Sequence, residues 1–142
     1  MKKAMATNAA TAHAEIERLA KEKAVPELRY VERMEIGQVV RQGDIYIHRV
    51  ADSHPRGKRL ESHQLAIGET TGSRHTVEAH AEVYEGTTLP DYCSPGTFLG
   101  PLVTAKERTL YPHPEHAHYS LPRGTYQVTH QMDARTLERV KD

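Results

Sequence analysis

One cysteine, Cys93, one phenylalanine, Phe98, and no tryptophan are spread over 142 residues. A lone cysteine excludes an intrachain disulfide and a cysteine-based zinc site, so nothing here requires an oxidising compartment. With tryptophan absent and 37% of residues hydrophobic, the expected core is modest and built from Val, Ile, Leu and Tyr. No apolar run approaches the ~18–20 residues of a membrane span. Met1–Thr7 holds two lysines with no apolar stretch behind them, so no signal peptide is expected there. The expected location is the cytoplasm. Charge of either sign is also missing as an excess: 19 Lys and Arg balance 19 Asp and Glu. That balance argues against a protein whose main work is neutralising nucleic-acid phosphates. Arg49 with Arg56-Gly57-Lys58-Arg59 makes one basic loop, of a kind that is usually just solvated. Zero net charge leaves little self-repulsion and suits a protein that forms a homo-oligomer or packs against other subunits.

The chain changes character at Pro26. Residues 8–24 are rich in helix formers, with Ala9, Ala12, Ile16, Leu19 and Ala20 at helical spacing and Asn8 or Thr11 able to cap the start. Residues 1–26 are therefore expected to be a helical arm, with too few large apolar residues to anchor itself. Residues 27–142 are expected to be the β domain. Strands are predicted within 28–40, at 45–50, 63–67, 75–85 and 125–132, with one or two more within 98–111, broken at Gly100-Pro101. Polar loops are predicted at 51–61 and 86–97, and a histidine loop at 112–120. The expected fold is mainly β: a small β-barrel or β-sandwich of about six to eight short strands, with the N-terminal helix or arm.

What the sequence has in excess is histidine, ten in all. Strand alternation sorts them. His75 shares a face with Val77, Ala79, Ala81 and Val83 and should point inward. His130 shares a face with Tyr126, Val128 and Met132 and should do the same. His13, His54 and His80 read as solvated, and His48 and His63 are not placed by this argument. The densest cluster is His113-Pro114-Glu115-His116-Ala117-His118. Neutral imidazole is the commonest protein ligand for transition metals, and a neighbouring carboxylate can complete or orient the set. A cupin-type site takes a His-x-His pair and a carboxylate from one strand and a further His from a distant one. His75, His113, His116, His118, His130 and Glu115 are thus the candidate ligands of one divalent ion (Zn, Fe, Ni or Mn). The competing reading makes them hydrogen-bonded core or rim residues. Gly68-Glu-Thr-Thr-Gly72-Ser-Arg74 is a Gly-bounded turn in which backbone amides and Arg74 could cradle an anion, although a plain β-turn is the simpler reading. No catalytic residues are assigned. Cys93 has no neighbour that would lower its pKa, and no Gly-x-Ser-x-Gly elbow is present.

In order, the chain carries Gln42-Gly43-Asp44, then Gly68-Glu69-Thr70-Thr71-Gly72-Ser73-Arg74-His75. These are followed by His113-Pro114-Glu115-His116 and Leu121-Pro122-Arg123-Gly124-Thr125-Tyr126-Gln127-Val128-Thr129-His130-Gln131. This succession resembles small, largely uncharacterised β-domain proteins of bacteria and tailed phages, over residues 41–132. Those proteins often have His-x-His after the second glycine, where Ser73 stands here in the first place. The resemblance implies a compact β fold and no settled activity. The expected function is a non-enzymatic structural or interaction module, in a phage a virion-associated capsid or accessory protein, assembling through its β domain and N-terminal arm. On that reading the location is the virion. The alternative is a cupin-like metal-binding β-barrel built on the histidine cluster, catalytic if a coordination position stays open.

Overall fold

The computed structural model describes residues 27–66 and 75–130, together with the backbone of 132–133 and 138–139. The expected helical arm and the Gly68–Arg74 turn lie outside the described residues. The described chain is all strand and loop. Six strands form one antiparallel sheet: β2 (Val39–Gln42), β3 (Ile45–Val50), β4 (Arg56–Leu60), β5 (Glu82–Gly86), β6 (Phe98–Ala105) and β9 (Gly124–His130). Their order is β2-β3-β9-β6-β5-β4. A second sheet has β1 (Leu28–Tyr30), β8 (His118–Leu121) and β7 (Thr109–Tyr111) in the order β1-β8-β7, with β1 parallel to β8. A short pair, β10 (Met132–Asp133) and β11 (Glu138–Arg139), follows. Among the described residues the large sheet stays open, with β2 and β4 as its edges, so no closed barrel forms. No helix among them is long and apolar enough to cross a membrane.

The two sheets share one core. Ile45, Ile47, Val83, Val103, Tyr126 and Val128 of the large sheet meet Tyr111, Tyr119 and Leu121 of the small one. The Tyr111 ring meets the Tyr126 ring edge-on at 6.2 Å, an arrangement worth about 0.5–1.5 kcal/mol beyond area burial. β3 forms because Ile45 and Ile47 place branched side chains on one face. It pairs with β2 across a tight turn in which Gly43 takes a left-handed φ of 59°. Central β9 is buried on both faces, with Tyr126, Val128 and His130 toward the core and Thr125, Gln127 and Thr129 on the other. The Leu121-Pro-Arg-Gly124 turn leads into it. There the Tyr126 hydroxyl donates to the Pro122 carbonyl at 2.6 Å. Gly124 has φ 147°, and a Cβ would lie 2.6 Å from the Arg49 guanidinium, so only glycine fits without strain.

Several expectations need correction. The described residues hold eleven strands, counting the short final pair, rather than six to eight. The region expected to be polar loop contains β4, Arg56-Gly-Lys-Arg-Leu60. An edge strand with mostly solvated side chains has no apolar alternation to reveal it, and its ladder with β5 is irregular between Arg56 and Arg59. The break expected at Gly100-Pro101 is a bulge inside a continuous β6, marked by a register shift between Leu99 and Leu102. A bulge tolerates the missing proline N–H. The carbonyls it frees are met by Gln127, whose Nε2 donates to Gly100 O at 2.8 Å and Pro101 O at 3.1 Å. Gly86 makes room on the neighbouring strand, since a Cβ there would sit 1.9 Å from the Gly100 carbonyl oxygen. The strand expected at 63–67 contributes only the bridge Gln64–Thr76 among described residues. The one expected at 75–85 becomes regular only from Glu82, because residues 79 and 80 form a turn that exposes Ala79.

Candidate functional site

The β2–β3 turn sends Gln42 and Asp44 in from either side of Gly43, and both are buried. Gln42 Nε2 donates to the carbonyls of Tyr111 at 2.8 Å and Ala117 at 2.9 Å. One side chain of the large sheet thereby ties both ends of the histidine loop. Those two carbonyl acceptors fix the amide's orientation, so Gln42 Oε1 must accept, and it does so from His75 Nδ1 at 3.0 Å. His75 therefore carries a proton on Nδ1. Its Nε2 lies 2.9 Å from Asp44 Oδ1, a contact that needs a second proton. Burial raises the Asp44 carboxyl. The hydrogen bond and charge of His75, a backbone hydrogen bond and the charge of His130 pull it down, and the net position is below the ordinary carboxylate value. The pair is a buried imidazole–carboxyl contact, and an ion pair when His75 carries both protons.

His113 is fixed in the opposite sense. Its Nδ1 accepts from the backbone N–H groups of Glu115 and His116, each at 3.0 Å. Only a ring protonated on Nε2 alone can do that, so His113 is neutral. The loop 112–118 folds around this contact, stiffened by Pro112 and Pro114. The His113 ring lies 4.4 Å from that of His75 and 4.5 Å from that of His116, while the rings of His75 and His116 are 6.2 Å apart and nearly parallel. His75 and His113 thus stand side by side in the interior, and half-buried His116 is the member that lines a cleft.

That cleft has a volume of about 400 Å³ and is walled by Arg29, Arg41, Gln42, His116 and Tyr119. No carboxylate lines it among the described residues. Arg29 donates to the Tyr119 hydroxyl at 3.0 Å and pairs with Glu27 at 2.9 Å. Arg41 Nε is held by the Gly43 carbonyl at 2.8 Å, with its guanidinium over the Tyr46 ring.

The other sequence candidates fall as follows. His130 ends β9, buried opposite Ile45 and Phe98, and its charge is felt at Asp44. His118 starts β8 and is half-buried, with its backbone N–H bonded to Glu27 O. Glu115 is exposed and brings only its N–H to His113. Gly68, Gly72 and Arg74 lie outside the described residues. Metal ligation needs a lone pair aimed at the ion. The His113 Nδ1 lone pair is engaged with the backbone, and both His75 nitrogens face Gln42 and Asp44. Among the described residues, no group of three or more His, Cys, Asp or Glu is placed to hold an ion.

A family model described as a domain of unknown function, DUF8820, matches residues 41–131, well over half of the chain. The chain belongs to the DUF8820 family. The matched span runs from β2 to the end of β9 and so holds Gln42, Asp44, His75, His113 and His116, all the groups of the buried cluster. No curated protein and no solved structure matches the chain. The DUF8820 span leaves out Arg29, which reaches the cleft from β1.

Gln42 and Asp44 of the buried cluster, and Arg29 and Arg41 of the cleft wall, are site residues that the histidine-centred reading missed. For the first two a signal was present. A buried, inward histidine needs partners for both nitrogens, and a Gln-Gly-Asp turn between two strands supplies an acceptor on each side of a tight bend.

Proposed function

We propose that this DUF8820 domain is a non-enzymatic interaction module that holds an anionic group, a carboxylate or phosphate, in the cleft between Arg29, Arg41 and His116. The observation that carries this reading is the cleft wall itself: two guanidiniums and an imidazole, with no carboxylate among the described lining residues and Glu27 paired to Arg29 alongside. Guanidinium groups recognise oxyanions through forked hydrogen bonds. Gln42 and the His75–Asp44 pair behind them fix the shape of the wall. The anion can belong to a small molecule or to an acidic residue of a partner subunit. Assembly into a virion or homo-oligomer through the β domain and residues 1–26 is the wider form of this reading and rests on the balanced charge and the expected N-terminal arm. Titration with inorganic phosphate and with acetate, followed by heteronuclear NMR, tests it. Expected is millimolar binding that shifts residues 41–43 and 116–119 and weakens about tenfold in Arg41→Ala. Shifts scattered over the surface and unchanged in that variant would refute it.

A divalent ion that staples the cluster is the second reading. In its favour, Asp44 Oδ2 is buried without a hydrogen-bond partner among the described residues. The 2.9 Å between Asp44 Oδ1 and His75 Nε2 is also short enough for two ligands of one ion. The tautomer of His113 stands against it. The favoured reading expects tag-free protein to contain substoichiometric metal and to keep its melting temperature on chelation. One Zn, Fe, Ni or Mn per chain, lost on chelation together with thermal stability, would replace the favoured reading with this one.

A further inference from the structure

A second cleft, of about 500 Å³, is lined by Val39, Tyr46, His48, Tyr92 and the 93–97 loop, and its chemistry differs from that of the first. The loop 90–97 makes two successive turns, Cys93 N–H to Pro90 O and Thr97 N–H to Ser94 O, each 3.0 Å. These turns set the Tyr92 hydroxyl 2.9 Å from His48 Nδ1, while His48 Nε2 lies 2.8 Å from Thr129 Oγ1. His48 is only 5% exposed, so both ends of its ring are held in a built arrangement rather than a surface contact. Tyr92, by contrast, is 57% exposed and Val39 40%. They are two of the four large apolar side chains exposed among the described residues, and both line this cleft.

Among the described residues, the lining contains no carboxylate, amine or guanidinium, and its ionisable side chains are Tyr46, His48, Tyr92, Cys93 and His130. Its two titratable groups nearest Tyr92 are also neutral near pH 7. Burial pushes the His48 imidazole down to about 4 and pushes the Cys93 thiol up. A charged ligand would lose its hydration here and find no Lys, Arg, Asp or Glu among the described lining residues. An uncharged ligand with hydroxyl groups fits. Ser94, Thr97 and Thr129 carry hydroxyls that can each donate or accept, and Ser94 and Thr97 already bond each other at 3.2 Å. The Tyr92 ring and Val39 offer an apolar wall beside them. Aromatic rings with a polar tip suit surfaces that are apolar on one side and wet on the other.

We infer that this cleft is a binding site for an uncharged carbohydrate, with C–H groups of a sugar ring against Tyr92 and Val39 and its hydroxyls on Ser94 and Thr97. The inference stands apart from the anion site. Saturation-transfer NMR on the full chain with maltotriose, cellotriose and chitotriose tests it, with p-cresol as an uncharged aromatic control. At least one trisaccharide is expected to receive saturation at its C–H protons. Affinity is expected to fall about tenfold in Tyr92→Ala, to survive in Tyr92→Phe, which keeps the ring, and to be unchanged in Arg29→Ala at the other cleft. The inference is overturned if no trisaccharide is saturated, if binding persists in a folded Tyr92→Ala variant, or if p-cresol alone binds.

Discussion

Replacing His75 by alanine is expected to cost about 3–5 kcal/mol of folding stability, the usual penalty for stripping one partner from a buried ion pair. His75 is fully buried and Asp44 is 2% exposed. Without the imidazole, buried Asp44 loses its partner among the described residues, and Gln42 Oε1 loses its donor. The loss is large against a total of about 5–15 kcal/mol for a typical domain. Asp44→Asn should be milder, about 1–2 kcal/mol. An asparagine amide can donate to Nε2 of a neutral His75 whose Nδ1 proton still goes to Gln42. The double variant His75→Ala/Asp44→Ala should cost less than the two single alanine variants summed, because each single change leaves the other group stranded. Urea unfolding of the four proteins reads all of this. A His75→Ala loss below about 1 kcal/mol would show that the pair carries no structural weight.

Acid is expected to remove about 3 kcal/mol through His48 alone, between pH 6.5 and 4. Burial lowers its folded pKa from the ordinary 6.5 to about 4. A lowered histidine pKa means that the unfolded chain takes the proton first. The stabilisation is therefore complete above the unfolded value and is lost as pH falls toward the folded one. Two and a half pH units at about 1.36 kcal/mol each give the stated size. Asp44 acts in a separate window. Its carboxyl lies below the ordinary 3.8, so its contribution is present above that value and is lost as pH falls further, through its folded pKa. The first window is isolated by His48→Gln, whose amide can still bridge Tyr92 and Thr129 but does not titrate. Melting temperatures at pH 7.5 and 4.5 should differ less in that variant than in the parent. An equal drop in both proteins would remove His48 from the account.

The parts of the fold that were legible in the sequence are those where a single strand face meets the core. Ile45 and Ile47 alternate with polar or mixed residues, as do Tyr126 and Val128, and β3 and β9 stand where that pattern puts them. Inward placement of His75 and His130 follows from the same argument, and both are buried. β4 was not legible, since Arg56-Gly-Lys-Arg-Leu60 is an edge strand stabilised by backbone pairing with β5 and not by burial. Nor was the fate of His48. Both faces of β3 carry apolar residues, and what decides the orientation is a loop more than 40 positions away that sets Tyr92 on the imidazole. For the site, the sequence assembled His75, His113 and His116 correctly as neighbours. It could not show that their protons are fixed by a glutamine and an aspartate on another turn. That information lies in the directions of Gln42's hydrogen bonds, which exist only once the two sheets are packed.

The central claim is an anion-binding cleft whose outer wall is His116 and whose inner wall is locked by proton placement. Long-range nitrogen–proton NMR of the histidine rings at pH 7, with and without inorganic phosphate, tests both halves in one experiment. The account predicts His113 protonated on Nε2 only and His75 protonated on Nδ1 in either condition, with the phosphate response centred on the His116 ring. A His113 protonated on Nδ1, or a phosphate response that leaves His116 unmoved, would contradict it.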